Sequence, residues 1–269
     1  MTDARSDDRG TWPDVDSIFD LGDRVAVITG GARGIGRQIA MAFARRGATV
    51  VVASRKVEAC EAFAAEITAR TGIPAIGLCC HVARWQDCND LVDAVYSRFG
   101  HCDVLVNNAG ISPVYGLLSE VSEELWDKTL GVNLKGAFRL SALIGERMAA
   151  AAGGSIINIS SIAAVQPKPH DLPYAIAKAG LNALTLGTAR AFAPSVRVNT
   201  IMLGPFLTDI AKAWDMAAFT STAERDIPLQ RGGEAHEVVA AALYLAGSGA
   251  SYTTGSVLKI DGGTAWPAA

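Results

Sequence analysis

The feature that most restricts the fold is a series of short apolar runs without polar alternation, each followed by a longer stretch of helical spacing. The runs are "RVAVIT" (24–29), "TVVVAS" (49–54), "AIGLCCHV" (75–82), "DVLVNN" (103–108), "GSIINIS" (154–160), "SVRVNTIM" (195–202) and "SVLKI" (256–260). A strand that is apolar at every position is buried on both faces, which happens when helices cover both sides of a parallel sheet. Helical patterns fill the intervals, at 35–47, 56–72, 85–100, 122–150, 172–193, near 209–222 and at 234–247. Each can supply a right-handed crossover. The pattern predicts an α/β fold, a doubly wound sheet of about seven parallel strands with helices on both faces, in a single domain over 21–269. Such sheets bind ligands beyond the carboxyl ends of their strands, so the loops after each strand carry the functional interest.

Residues 1–20 hold six Asp and two Arg, which reads as a disordered acidic tail. The tail lacks an apolar stretch of secretory-signal type. It accounts for −4 of the net charge of −3, leaving the body near neutrality with no basic field to steer nucleic acid. The apolar stretch Val238 to Ala246 is far short of the roughly 18 residues that a membrane span requires. The five cysteines (60, 79, 80, 88 and 102) form no C-x-x-C pair. They read as buried reduced thiols of a cytoplasmic protein, with no metal site.

After the first strand comes "TGGARGIG" (29–36). Its glycines permit a backbone with positive φ and a close approach of a pyrophosphate, and the following helix offers unpaired N–H groups to that anion. Gly30, Arg33, Gly34, Ile35 and Gly36 are the predicted contacts. The end of the second strand selects the dinucleotide. An NAD site places Asp or Glu there for the ribose hydroxyl. This chain has Ser54, Arg55 and Lys56. A hydroxyl and a guanidinium suit a 2′-phosphate, which a carboxylate would repel. Arg33 reaches for the same group, so NADP(H) is favoured and NAD(H) is the alternative.

Taken in order, "TGGARGIG", "NNAG" (107–110), Asn133 in "GVNLKG", "SS" (160–161), "YAIAK" (174–178) and "DGG" (261–263) resemble the short-chain dehydrogenase/reductase family across about residues 22–265. The nearest flavour is that of 3-oxoacyl-carrier-protein reductases and glucose dehydrogenases. The resemblance implies a Rossmann-type dinucleotide-binding catalytic domain that moves hydride between a nicotinamide cofactor and a carbonyl or alcohol. It makes Tyr174 the acid/base, Lys178 its partner and ribose ligand, Ser161 the group that stabilises the carbonyl oxygen, and Asn133 the residue that kinks a helix and holds a water. Ser161, not Ser160, stands thirteen residues before Tyr174 as the family pattern requires, and alternation along the strand points Ser160 the other way. Asn108, Ala109 and Gly110 resemble the turn that lines the adenosine. On physical grounds a phenol of pKa near ~10 is a poor base at neutral pH. Lys178, one turn along the same helix face, is expected to lower it.

Three departures from the family pattern stand out. His81-Val82 replaces Asp-Val; His81 is read as contacting adenine, stacking on it, or lying in the core. "LGPF" replaces Pro-Gly, so Gly204, the N–H of Phe206 and Thr208 are the expected contacts at the nicotinamide end. The three-proline loop "VQPKPHDLP" (165–173) is a stiff wall beside the substrate. Tyr115, Leu117, Phe206, Trp214, Met216 and Phe219 are read either as further wall residues or as the packing of a lid helix; as walls they favour an apolar or medium-sized carbonyl over a sugar phosphate, and His170 is a contact or an exposed loop residue. A catalytically silent dinucleotide-binding regulator or scaffold is the alternative function, and a sugar-nucleotide epimerase a weaker third. The family resemblance also implies a homotetramer, with "MAAAAGG" (148–154) and the helix over 179–193 at its interfaces.

Overall fold

The computed structural model describes residues 14–208 and 216–265. Seven parallel strands form the sheet: β1 (Val25–Thr29), β2 (Thr49–Ser54), β3 (Ala75–Cys79), β4 (Val104–Asn107), β5 (Gly154–Ser161), β6 (Val196–Leu203) and β9 (Val257–Ile260). Their order is β3-β2-β1-β4-β5-β6-β9. The chain therefore winds outward from β1 in one direction and from β4 in the other, which places the switch point between β1 and β4. A separate small sheet pairs β7 (Phe206–Leu207) with β8 (Gly233–Glu234).

Every residue of β1 and β4 is buried. Alternate side chains enter two different cores. Ala26 and Ile28 join Ile39 and Phe43 of α1 (Gly34–Arg45) on one face, with Leu245 of α8 (Val239–Ala246). Val25 and Val27 join Leu91 and Val95 of α3 (Trp85–Phe99) on the other. This two-sided burial is why the strand runs lack polar alternation. β3 and β9 depart from it, since they are the sheet's edges and their side chains are largely exposed or half-buried. The remaining helices are α2 (Val57–Thr71), α4 (Glu123–Leu130), α5 (Gly136–Ala149), α6 (Leu172–Ala191) and α7 (Met216–Asp226).

Several boundaries differ from those expected. The third strand stops at Cys79, not at 82, because Cys80 to Arg84 turn back through an Arg84 N–H to His81 carbonyl bond of 2.7 Å. The single helix expected over 122–150 is divided by a wide π-turn, Gly131–Lys135. Of the helix expected near 209–222, residues 209–215, including Trp214, lie outside the described residues. So do residues 1–13 of the acidic tail. Its remaining part forms a short 3-10 turn, Ser17–Phe19, with Ile18 against Gly247 and Gly249. Four cysteines are buried; Cys79 is the exception, exposed at the end of edge strand β3. No helix among the described residues is long and apolar enough to cross a membrane.

Candidate active site

The glycine loop leaves β1 with φ of +64° at Gly30 and +52° at Gly34, values that L side chains rarely adopt. No side chain caps the start of α1 among the described residues, so its first-turn N–H groups stay available to an anion. The loop is clamped from β4. Asn108 Nδ2 donates to the carbonyls of Thr29 (2.8 Å) and Gly30 (3.2 Å). The N–H groups of Asn108 and Ala109 donate to Thr29 Oγ1 at 3.0 and 3.1 Å. A Cβ at Gly36 would collide with the Asn108 amide and come within 2.6 Å of the Gly30 carbonyl. The Asn108 side chain is thus engaged in holding the glycine loop closed. Thr29, given no role by the sequence reading, is the residue on which this clamp closes. Its only signal was a hydroxyl ending an otherwise apolar strand.

At the end of β2, Ser54 Oγ lies 2.9 Å from Cys60 Sγ and 3.4 Å from the Lys56 carbonyl. Arg33 and Arg55 are exposed, and neither forms an ion pair among the described residues. Burial first, then the positive charges of Arg55 and Arg84, holds His81 below the usual imidazole range, so it is neutral at pH 7. The Ala83 N–H donates to His81 Nδ1 at 3.3 Å, which leaves the ring proton on Nε2. That tautomer presents a donor, so it cannot accept from an adenine amino group as an aspartate would. Val82 is buried, and Cys88 Sγ donates to its carbonyl.

Across the switch point, β5 and α6 bring Ser161, Tyr174 and Lys178 together. Ser161 Oγ accepts from the Ala163 N–H at 3.2 Å and lies near enough to the Tyr174 hydroxyl to lower its pKa. Ser160 instead donates to the Lys178 carbonyl inside the core. Lys178 Nζ donates to the Ile159 carbonyl at 2.7 Å and lies 5.6 Å from the centre of the Tyr174 ring. Gly110 closes over it: a Cβ there would stand 3.7 Å from Nζ and 3.0 Å from Asn133 Oδ1. Burial lowers the Lys178 pKa to about 8.

The Tyr174 phenol shifts in the direction opposite to the one expected from Lys178. Burial pushes the phenol above its ordinary value and outweighs the influence of Ser161, with Asp171 adding to the rise. The ammonium of Lys178 is bonded to a strand carbonyl instead of the phenolic oxygen, so it does not offset that cost.

Asn133 sits in the π-turn that divides α4 from α5, almost fully buried. Its Nδ2 donates to the carbonyls of Ile111 and Thr129, both at 2.9 Å, and its Oδ1 accepts from the Ile111 N–H at 3.2 Å. Both amide hydrogens are therefore used inside the protein, fixing the chain just after the 107–110 turn. Behind the site runs a buried polar chain that the sequence reading missed. Asn107 Nδ2 donates to Ser141 Oγ and Asn158 Oδ1, Asn158 Nδ2 donates to Thr185, and Thr185 meets Thr200 at 2.7 Å.

At the far end of the cleft, Gly204 lets the backbone pass Asp261 of "DGG", where a Cβ would come within 2.7 Å of the Asp261 Cα. Asp261 in turn accepts from the N–H groups of Gly263 and Ala265. The Phe206 side chain is buried against Gly233, which corrects its reading as a pocket wall. Thr208 faces the glycine loop, 3.8 Å from where a Gly34 Cβ would stand.

These features define a doubly wound α/β protein of Rossmann type, with an open glycine loop and a Ser–Tyr–Lys cluster on either side of its switch point. Residues 30–265 match the family described as Enoyl-(Acyl carrier protein) reductase. Dehydrogenase/reductase SDR family member 4 of Bos taurus is 36% identical over 246 residues, spanning 91% of this chain and 88% of that protein. D-threitol dehydrogenase of Mycolicibacterium smegmatis is 36% identical over 255 residues, spanning 93% and 95%. A solved gluconate 5-dehydrogenase from Burkholderia cenocepacia, in complex with NADP and tartrate, matches with a TM-score of 0.89 at 32% identity, covering 93% of this chain and 98% of that one. The chain belongs to the short-chain dehydrogenase/reductase family of oxidoreductases.

Proposed function

We propose that the protein is an NADP(H)-dependent enzyme that interconverts a small carbonyl compound and its alcohol. The observation that carries this reading is the convergence of Ser161, Tyr174, Lys178 and Asn133 beside an uncapped glycine loop. That loop, with its positive-φ glycines, fits a pyrophosphate, and Gly110 leaves space above Lys178 for a ribose. A bound nicotinamide supplies or accepts the hydride. Tyr174 donates a proton to the carbonyl oxygen, or removes one from the alcohol. Ser161 hydrogen-bonds the same oxygen. Lys178 holds ribose hydroxyls, and Asn133 fixes the turn at Ile111. The relatives' dehydrogenase and reductase names do not favour a silent regulator. A panel of ketones and alcohols with NADPH and NADH, followed at 340 nm, tests the reading; no turnover with any pair counts against it.

The protein's own groups set a pH dependence. The phenol's raised pKa keeps Tyr174 protonated through neutrality, so the donor for carbonyl reduction persists. Lys178, with a pKa of about 8, loses its charge as pH rises through that value. Loss of the cation weakens the hold on the ribose hydroxyls. Reductive kcat/KM is therefore expected to be level near pH 7 and to fall above about pH 8. A profile flat to pH 10 would remove Lys178 from that role.

The enzyme is read as cytoplasmic and as a homotetramer. An open groove of about 640 Å³ between α4, α5 and α6 is lined by Leu130, Leu134, Phe138 and Leu184 among others. Phe138, Ile176 and Leu186 are exposed on α5 and α6, and Val257 and Leu258 on edge strand β9. Helix packing and edge-to-edge contact at these two places would bury them. Gly145 and Gly180 already serve contacts within the chain, with Phe192 and Leu134, so apolar side chains carry the interface more than small residues do. Light scattering at micromolar concentration is expected to give a tetramer; a monomer there refutes it.

A further inference from the structure

Helix α6 carries both Tyr174 and Lys178, yet its start lacks an ordinary cap. Asp171 occupies the N-cap position but makes no side-chain cap bond to the helix. Its carboxylate is turned back into the loop, where Oδ1 accepts from the Lys168 N–H at 2.8 Å. The first N–H of the helix, on Leu172, is instead bonded from a distant segment: it donates to the hydroxyl of Tyr115 at 2.9 Å. The same hydroxyl donates to the Pro169 carbonyl at 2.7 Å. One phenolic oxygen thus both accepts from the helix start and donates to the loop that precedes it. The other end of the Tyr115 segment is fixed as well, because Asn133 bonds both backbone groups of Ile111.

We propose that Tyr115 is a positioning residue, a remote cap that sets the first turn of α6 and with it the placement of Tyr174 relative to Ser161 and Asn133. The proposal rests on the reading of Tyr174 as acid/base. A helix start whose N–H groups have no partner frays. Tyr174 lies two residues beyond Leu172, inside that turn, whereas Lys178 is a full turn further along and held by the Ile159 carbonyl. Loss of the cap therefore displaces the phenol before it disturbs the lysine. A misplaced proton donor lowers the rate of the chemical step more than it lowers cofactor binding. The Tyr115 hydroxyl, engaged on both sides, is not free to hydrogen-bond a substrate; its role is to join the two walls of the cleft.

The test is Tyr115→Phe, which keeps the ring and removes only the hydroxyl. Amide hydrogen exchange is followed across 169–180, together with kcat, KM and NADPH affinity. Faster exchange in the first turn of α6 is expected, with kcat down about tenfold, or ~1.4 kcal/mol, and the dissociation constant for NADPH within about twofold of the parent. Unchanged exchange overturns the proposal whether or not the enzyme reading holds. Faster exchange with an unchanged kcat overturns it too, since the hydroxyl is then structural only. A loss of kcat matched by an equal loss of NADPH binding and of protection throughout the sheet also overturns it, as a global effect. If the parent protein turns over no substrate, the enzyme reading fails, and the exchange measurement still decides whether Tyr115 caps the helix.

Discussion

Tyr174→Phe is expected to reduce kcat by about 10²–10⁴-fold, the usual contribution of a general acid or base, while NADPH still binds with near-parental affinity. The substitution removes one oxygen from a partly exposed ring and leaves the packing of α6 in place. It removes the hydroxyl that Ser161 influences but leaves Lys178 on the Ile159 carbonyl, so the group read as holding the ribose is untouched. Kinetics on an established ketone, paired with fluorescence titration of NADPH, separates the two effects. A kcat within a few-fold of the parent would take Tyr174 out of the chemistry. Loss of NADPH binding would instead make it a cofactor contact. The raised phenol pKa sharpens the expectation: at neutral pH the parent enzyme holds the proton that reduction requires, and phenylalanine has none to give.

The parts of this arrangement that were legible in the sequence are those fixed by local pattern. Unbroken apolar runs identify buried parallel strands because both faces of each strand meet helices, and all seven expected strands are found in one sheet. The glycine loop is legible because positive φ is needed at Gly30 and Gly34, where few other residues are tolerated. What was not legible depends on contacts between distant segments. The clamp of Asn108 on Thr29 joins residues 79 apart, and the Tyr115 hydroxyl reaches Leu172 across 57. Neither leaves a periodic trace. The division of α4 from α5, which the resemblance places at Asn133, leaves no mark in the apolar spacing, which continues through Gly131–Lys135 while the Asn133 side chain bonds Ile111. The direction of the Tyr174 shift was misjudged for a related reason. A lysine four residues along a helix is visible in sequence; the desolvation of the phenol, and the Ile159 carbonyl that takes the ammonium, are not.

In the parent enzyme NADPH is expected to exceed NADH by at least about tenfold in kcat/KM, which corresponds to ~1.4 kcal/mol. No carboxylate stands at positions 54 to 56 to accept from a free ribose or repel a 2′-phosphate. The preference is assigned mainly to Arg33 and Arg55, which have no ion-pair partners among the described residues. Ser54 contributes less, because its hydroxyl lies against Cys60 and the Lys56 carbonyl. A charge-assisted hydrogen bond is worth ~1.5–3 kcal/mol, but both guanidinium groups are exposed, so screening by salt reduces the figure. Two of them acting on one phosphate restore the margin, and the preference should shrink as ionic strength rises. Arg55→Ala alone is expected to bring the two cofactors near parity. Ser54→Asp combined with Arg55→Ala should invert the order, since the new carboxylate repels the phosphate and accepts from the ribose hydroxyl. Saturation curves for each cofactor at fixed ketone, in low and high salt, decide the matter. Equal efficiencies in the parent, or a preference that ignores salt, would mean that neither arginine meets the phosphate and that the end of β2 does not choose between the cofactors.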